Sequence, residues 1–205
     1  MGQNGGVRSP RAILSVNMPP LRWKSSPPSA PTERPLRHPG SLTARLARLG
    51  KVTVDVLKSR SHLASRDEAE GLGLPRPGLR LYVRRVCVRL DGKPAVLAES
   101  VATLKGVTGP WKGLRRLGNR PLAALLWSDP RIRRGPFQYV RLPASHPLMR
   151  QSWVKTPLPA RRSCFWLHGQ PLLVMEAFVG LPWHQAGLMP RRRQWLAHGM
   201  ERETA

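Results

Sequence analysis

The chain has 205 residues, of which 40% are hydrophobic, enough for one domain with a real core. It contains no run of about 18 apolar residues, which excludes a membrane-spanning helix. The formal charge of +24 admits two readings: phosphate contacts to a nucleic acid, or arginines spread over a solvated surface around an anionic substrate. The arginines are scattered, as at Arg45, Arg76, Arg89, Arg120, Arg141 and Arg150, and only Arg191-Arg192-Arg193 forms a run of three, so nucleic acid is the less favoured partner.

Residues 1–38 are rich in Pro, Ser, Gly and Arg and are expected to be disordered, because such a composition buries little surface. Their apolar stretch, Ala12-Ile13-Leu14, is too short for a signal peptide, which points to the cytoplasm, and Met18 is an alternative start. A domain is expected over 39–183, followed by a loose basic tail over 184–205. Order begins at Gly40, with Ser41 as the N-cap of a two-turn helix that presents Leu42, Leu46 and Leu49 on one face. Residues 51–57 alternate with period two and read as a strand, and 59–78 read as a loop with at most a helical turn.

A strong strand over 81–90 meets Asp91-Gly92, a hairpin signal, and returns over 95–102. Tyr82, Arg84, Val86, Val88 and Leu90 share one face, apolar except for Arg84; an arginine there has to find an anion or reach water. Helix is expected over 110–127, split at Gly118-Asn119-Arg120-Pro121, and a short strand over 138–142. The last hairpin runs 161–167, turns at His168-Gly169 and returns over 172–179, with Glu176 in an otherwise apolar row of Leu172, Val174 and Phe178. Hairpins with helices between them and no strand-helix-strand repeat predict an α+β fold with a mainly antiparallel sheet.

Several kinds of chemistry have no support. Cys87 and Cys164 stand outside any nucleophile or metal motif and read as buried free thiols; the six histidines lack ligand spacing; no phosphate-binding glycine loop occurs. Arg84 and Glu176 remain, each on an apolar strand face. They read either as a buried salt bridge or as the cation and carboxylate of an internal pocket. In the second case Arg84 would clamp a substrate carboxylate, and Glu176 would donate a hydrogen bond or act as a general acid.

Five pieces then occur in one order: Gly40-Ser41-Leu42-Thr43 with Arg45; Tyr82-Val83-Arg84 before Asp91-Gly92-Lys93-Pro94; Leu117-Gly118-Asn119-Arg120-Pro121-Leu122; Ala160-Arg161-Arg162-Ser163; and Gly169-Gln170-Pro171-Leu172-Leu173-Val174-Met175-Glu176. From about 39 to 179 the chain resembles the chorismate lyase family. That resemblance implies a six-stranded antiparallel sheet with helices covering an internal ligand site. It implies cleavage of chorismate to 4-hydroxybenzoate and pyruvate, the first step toward the ubiquinone ring, by a cytoplasmic monomer without metal or organic cofactor. By motif, Arg84 corresponds to the arginine that holds the ring carboxylate and Glu176 to the carboxylate near the ring oxygen. Leu42 and Leu122 correspond to positions whose backbone lines the ligand, and Arg162 to a supporting residue. One departure stands out: Ala98-Glu99-Ser100 carries an acid where the family has Arg or His, and Glu99 would repel a dianion if it faced the site. The other readings are a non-catalytic ligand-sensing module of the same fold and a basic nucleic-acid binder.

Overall fold

A computed structural model describes residues 20–26, 36–151 and 154–179. The expectations for Met18, for most of the 1–38 segment and for the 184–205 tail fall outside them. Seven strands, β1 (Val52–Leu63), β2 (Arg80–Leu90), β3 (Lys93–Thr103), β4 (Arg133–Arg134), β5 (Gln138–Leu142), β6 (Leu158–Leu167) and β7 (Gln170–Phe178), form one antiparallel sheet. The order is β1-β2-β3-β7-β6-β4, with β5 also paired to β6. One strand beyond the expected six arises because Arg133-Arg134 is a two-residue strand, too short for any pattern.

The two hairpins turn identically. Asp91 and Gly92 have φ of 48° and 76°, and His168 and Gly169 have 48° and 71°. Two successive left-handed residues make a type I′ turn, whose twist matches that of the strands. β3 then pairs with β7, so the hairpins join edge to edge as the centre of the sheet.

Four short helices lie outside it: α1 (Leu42–Leu46), α2 (Arg66–Gly71), α3 (Leu104–Thr108) and α4 (Ala123–Leu126), with a 3-10 turn at Lys112–Arg116. Ser41 caps α1 as expected. The helix expected over 110–127 does break at Gly118-Asn119-Arg120-Pro121, where Gly118 is left-handed at φ 53° and Pro121 follows, but the two pieces are shorter than expected, one 3-10 turn and four helical residues. The loop expected over 59–78 is corrected as well. β1 runs on to Leu63 and α2 follows, started by a capping box in which Ser65 and Glu68 each bond the other's backbone N–H.

Part of the segment expected to be disordered is built into the fold. Trp23 donates its indole N–H to Asp67 Oδ1 at 2.6 Å and stacks on Arg162, Lys24 bridges to Tyr139, and Leu36 is buried. Two large apolar side chains, Leu21 and Trp23, packing against the core are enough to dock a stretch whose average composition is polar.

The sheet buries both faces. On one, α1 covers a cluster of Leu42, Leu46, Val54, Val86, Val88 and Phe178, while α3 and the 3-10 turn cover a second around Trp111, Leu114, Phe165 and Val174. The middle of that face, between the two clusters, is left for a pocket. The other face is covered by α2 and by the segment around Leu148 and Met149. Glu99 lies there, 2% exposed, in an ion pair with Arg85, itself 6% exposed. The concern that Glu99 would repel an anionic substrate is thereby removed: its side chain leaves the strand on the side opposite the pocket.

This buried polar layer governs how the fold responds to mutation and to acid. Glu99→Ala leaves the Arg85 guanidinium buried with only the Pro147 carbonyl as acceptor, and should cost about 3–5 kcal/mol in urea unfolding, whereas Arg85→Leu with Glu99→Met should recover most of it. His146 is held neutral, its pKa pushed down to about 4 by burial and then by the nearby Arg85, and its Nδ1 accepts the Leu148 N–H. The unfolded chain therefore takes up a proton first as pH falls below about 6.5. Stability from this group is full above that value and is lost as pH drops toward 4. The pH 7 to pH 5 difference in unfolding free energy should shrink by on the order of 2 kcal/mol in His146→Gln.

Candidate active site

The register lays out the pocket floor. Residues that pair across neighbouring strands point to the same face. One row is Arg84, Ser100, Val174 and Ser163, and the next is Val86, Ala98, Glu176 and Arg161. All eight line one pocket, together with Leu42, Leu122, Arg134, Phe137 and Phe165. It encloses about 770 Å³ counting the solvent space at its mouth. The polar side chains in its lining are three arginines, three serines, one threonine and one carboxylate.

Arg84 and Glu176 thus face the same cavity, but they are not a salt bridge. They sit two strands and one row apart, roughly 12 Å between backbone positions from strand spacing and rise. Glu176 instead receives the Arg161 Nε–H at 2.6 Å on Oε2. Arg161, 2% exposed, is further fixed by donating Nη1 to the carbonyls of Leu36 and His38 at 2.9 and 2.8 Å. The Phe137 ring lies 4.3 Å from its guanidinium carbon. One oxygen of Glu176 is therefore held in place and the other is available to the cavity.

Arg84, 3% exposed, donates Nη2 to the carbonyls of Gly118 and Arg120 at 2.8 and 3.0 Å. No carboxylate is paired with it among the described residues, and burial lowers its pKa while leaving it a cation at neutral pH. Its Nε and Nη1 remain for a ligand. The loop it holds carries Pro121, Leu122 and Leu126 over the cavity, so one guanidinium serves both the ligand space and its cover.

Arg134 is the third pocket cation. It stacks 3.6 Å from the centre of Phe137 and 5.2 Å from that of Phe165, donates Nε to Ser163 Oγ at 3.2 Å and Nη1 to the Pro39 carbonyl. Burial, then the neighbouring Arg161, pushes its pKa down to about 10. The floor of the pocket thus has three positive charges against one negative.

Of the residues expected from sequence, Arg84, Glu176, Leu42 and Leu122 come together around this cavity. Arg162 does not. It lies on the opposite face, where it donates to Gln138 Oε1 at 2.8 Å and to Asp67 Oδ1 at 3.0 Å and stacks on Trp23. Sequence reasoning missed Arg161 and Arg134. For Arg161 a signal existed: a two-residue turn at 168–169 pairs 167 with 170 and hence 161 with 176. Arg134 had none, since its two-residue strand shows no periodicity. Neither cysteine is poised as a nucleophile: burial raises both thiols, Cys164 to about 11.

The chain matches the family described as chorismate lyase over residues 23–188. A "Probable chorismate pyruvate-lyase" of Bordetella avium (strain 197N) is 41% identical over 173 residues, covering 81% of this chain and 87% of that one. A protein of the same description from Nitrosomonas europaea is 37% identical over 174 residues, covering 81% and 97%. Among solved structures, the PhnF C-terminal domain has a TM-score of 0.50 at 18% identity over 65% of this chain and 86% of that one, a likeness of fold alone.

Because Arg84 holds the cover, Arg84→Met should speed backbone amide hydrogen exchange across residues 118–127, whereas Glu176→Gln should leave that segment as it is. Equal protection in wild type and Arg84→Met would show that the two carbonyl contacts do not hold the loop.

Proposed function

The chain belongs to the chorismate lyase family, and from that membership we propose that it removes pyruvate from chorismate to leave 4-hydroxybenzoate. The observation that carries the reading is a small apolar pocket with a surplus of positive charge around one fixed carboxylate. Chorismate is a cyclohexadiene bearing two carboxylates, one on the ring and one on the enolpyruvyl ether. The ether C–O bond at ring carbon 3 breaks, the hydrogen on carbon 4 departs, and a proton reaches the methylene carbon of the leaving fragment to make pyruvate. The ring becomes aromatic with its hydroxyl retained, so the intrinsic driving force is large, and the protein has mainly to orient the substrate and stabilise charge on the departing enolpyruvate.

Arg84 takes the ring carboxylate on Nε and Nη1, a charge-assisted contact in a desolvated site. Glu176 takes the 4-oxygen on the carboxylate oxygen that Arg161 leaves open, and Arg161 supplies the orientation. The backbone at Leu42 and Leu122 closes on the ring from either side. The scattered surface arginines raise the local concentration of a dianion and its rate of capture. The product is the precursor of the ubiquinone ring, and the protein acts as a single chain in the cytoplasm.

Mixing purified protein with chorismate should yield 4-hydroxybenzoate and pyruvate in equal amounts. Arg84→Ala and Glu176→Ala should each lower kcat/KM about a hundredfold or more with circular dichroism unchanged, the usual cost of removing one partner of a desolvated charged contact. Full activity in both variants would put the site elsewhere. Tight chorismate binding without turnover in the wild type would favour the ligand-holding alternative. Affinity for nucleic acid that falls steeply with salt, with neither chorismate binding nor turnover, would favour the third.

A further inference from the structure

Charge accounting inside the pocket leaves one group without a task. On the far face of the sheet each buried arginine has its own acid, Arg85 with Glu99 and Arg162 with Asp67. On the pocket face Arg161 has Glu176. Arg84 and Arg134 have backbone carbonyls and a hydroxyl, and no carboxylate among the described residues. A half-buried guanidinium pressed against two aromatic rings and facing a cavity gives up part of its hydration, and an anion in the cavity restores what is lost. Arg84 answers to the ring carboxylate of the substrate in the reading given above. The substrate has a second carboxylate.

We propose that Arg134 receives the enolpyruvyl carboxylate and thereby gives the dianionic substrate a contact that its monoanionic aromatic product does not make. The assignment rests on the chorismate reading. Its geometry follows from the sheet order: Arg84 rises from β2 and Arg134 from β4, with β3, β7 and β6 between them, so the two cations reach the cavity from opposite sides. Glu176 stands on β7, between the two. A ring held by its carboxylate at Arg84 and by its 4-oxygen at Glu176 directs the ether substituent on the adjacent carbon toward the β6–β4 side, where Arg134 waits.

The local structure keeps Arg134 in that position. Phe137 and Phe165 stack against its guanidinium. The Ser163 hydroxyl accepts from Nε while donating to the Gly135 carbonyl at 2.8 Å, and the Pro39 carbonyl takes Nη1. These contacts leave Nη2 for the ligand. As the ether bond breaks, electron density moves onto the enolpyruvate fragment, and a fixed cation at its carboxylate stabilises that charge without reorganisation. After the reaction the aromatic product retains only the carboxylate at Arg84, while pyruvate holds the one at Arg134, so the two products share no contact.

The test compares substrate with product in one variant. In R134Q the KM for chorismate should rise about 10- to 100-fold, the loss expected for one charged hydrogen-bonding contact, with a drop in kcat. The Kd for 4-hydroxybenzoate, measured by calorimetry, should change less than about threefold. Arg134→Lys retains the charge without the planar fork and should lie between the two; it carries the same comparison if R134Q does not fold. Equal losses for substrate and product would reveal a merely structural role, and no loss for either would remove Arg134 from the site. Both outcomes overturn the proposal while leaving the activity intact. A wild-type protein that binds chorismate without turning it over would instead overturn the activity, and the same pair of affinities, chorismate against 4-hydroxybenzoate, would still decide the role of Arg134.

Discussion

Arginines occupy adjacent positions in two of the central strands, at 84–85 and at 161–162, and successive side chains leave a pleated strand on opposite faces. Each pair therefore sends one guanidinium to the pocket and one to the back of the sheet. All four are nearly or fully buried, at 3, 6, 2 and 1% exposure. A buried cation needs an acceptor for its protons and, unless a ligand provides it, an opposite charge. The few acids of the chain are spent accordingly: Glu99 and Asp67 behind the sheet, Glu176 in front of it. Arg84 alone of the four has no carboxylate partner among the described residues, and it faces the space where a ligand can meet it.

This distribution also organises the packing. Arg162 joins Trp23, α2 and β5 across the back of the sheet, and Arg84 joins the central strands to the loop that roofs the pocket. The helices are too short to form a layer of their own; each covers one apolar cluster. The cavity is the gap between two small hydrophobic cores sharing one sheet.

Much of this was legible in the amino-acid order. Both hairpins announced themselves through Asp91-Gly92 and His168-Gly169 between alternating runs, and Arg84 and Glu176 stood out as charges in apolar rows. What was hidden follows a physical pattern. The far half of β1, with Ser59, Arg60, Ser61 and His62, lies on an edge strand whose solvated positions need no hydrophobic alternation, so it read as loop. The break at Gly118-Asn119-Arg120-Pro121 was legible from its Gly and Pro, but helical periodicity overstated the lengths on either side, which are one 3-10 turn and four helical residues. Choosing Arg162 over Arg161 was an error of parity: the strand pleat makes neighbours opposites, and only the turn length says which of them meets Glu176.

The Arg161 guanidinium binds Glu176 on one edge and the carbonyls of Leu36 and His38 on the other. The chain's approach to its first helix is therefore wired to the carboxylate of the pocket, more than 120 positions downstream in the sequence. For protein engineering this moves the practical boundary of the domain. A cut just before Gly40, where regular patterning begins, would retain every numbered helix and strand yet strip Arg161 of two of its acceptors, Arg134 of the Pro39 carbonyl and the core of Leu36. Shortened versions meant for crystallisation or fusion have to keep residues 36–39, or they lose a core leucine together with the carbonyls that aim the acid and the cation of the pocket.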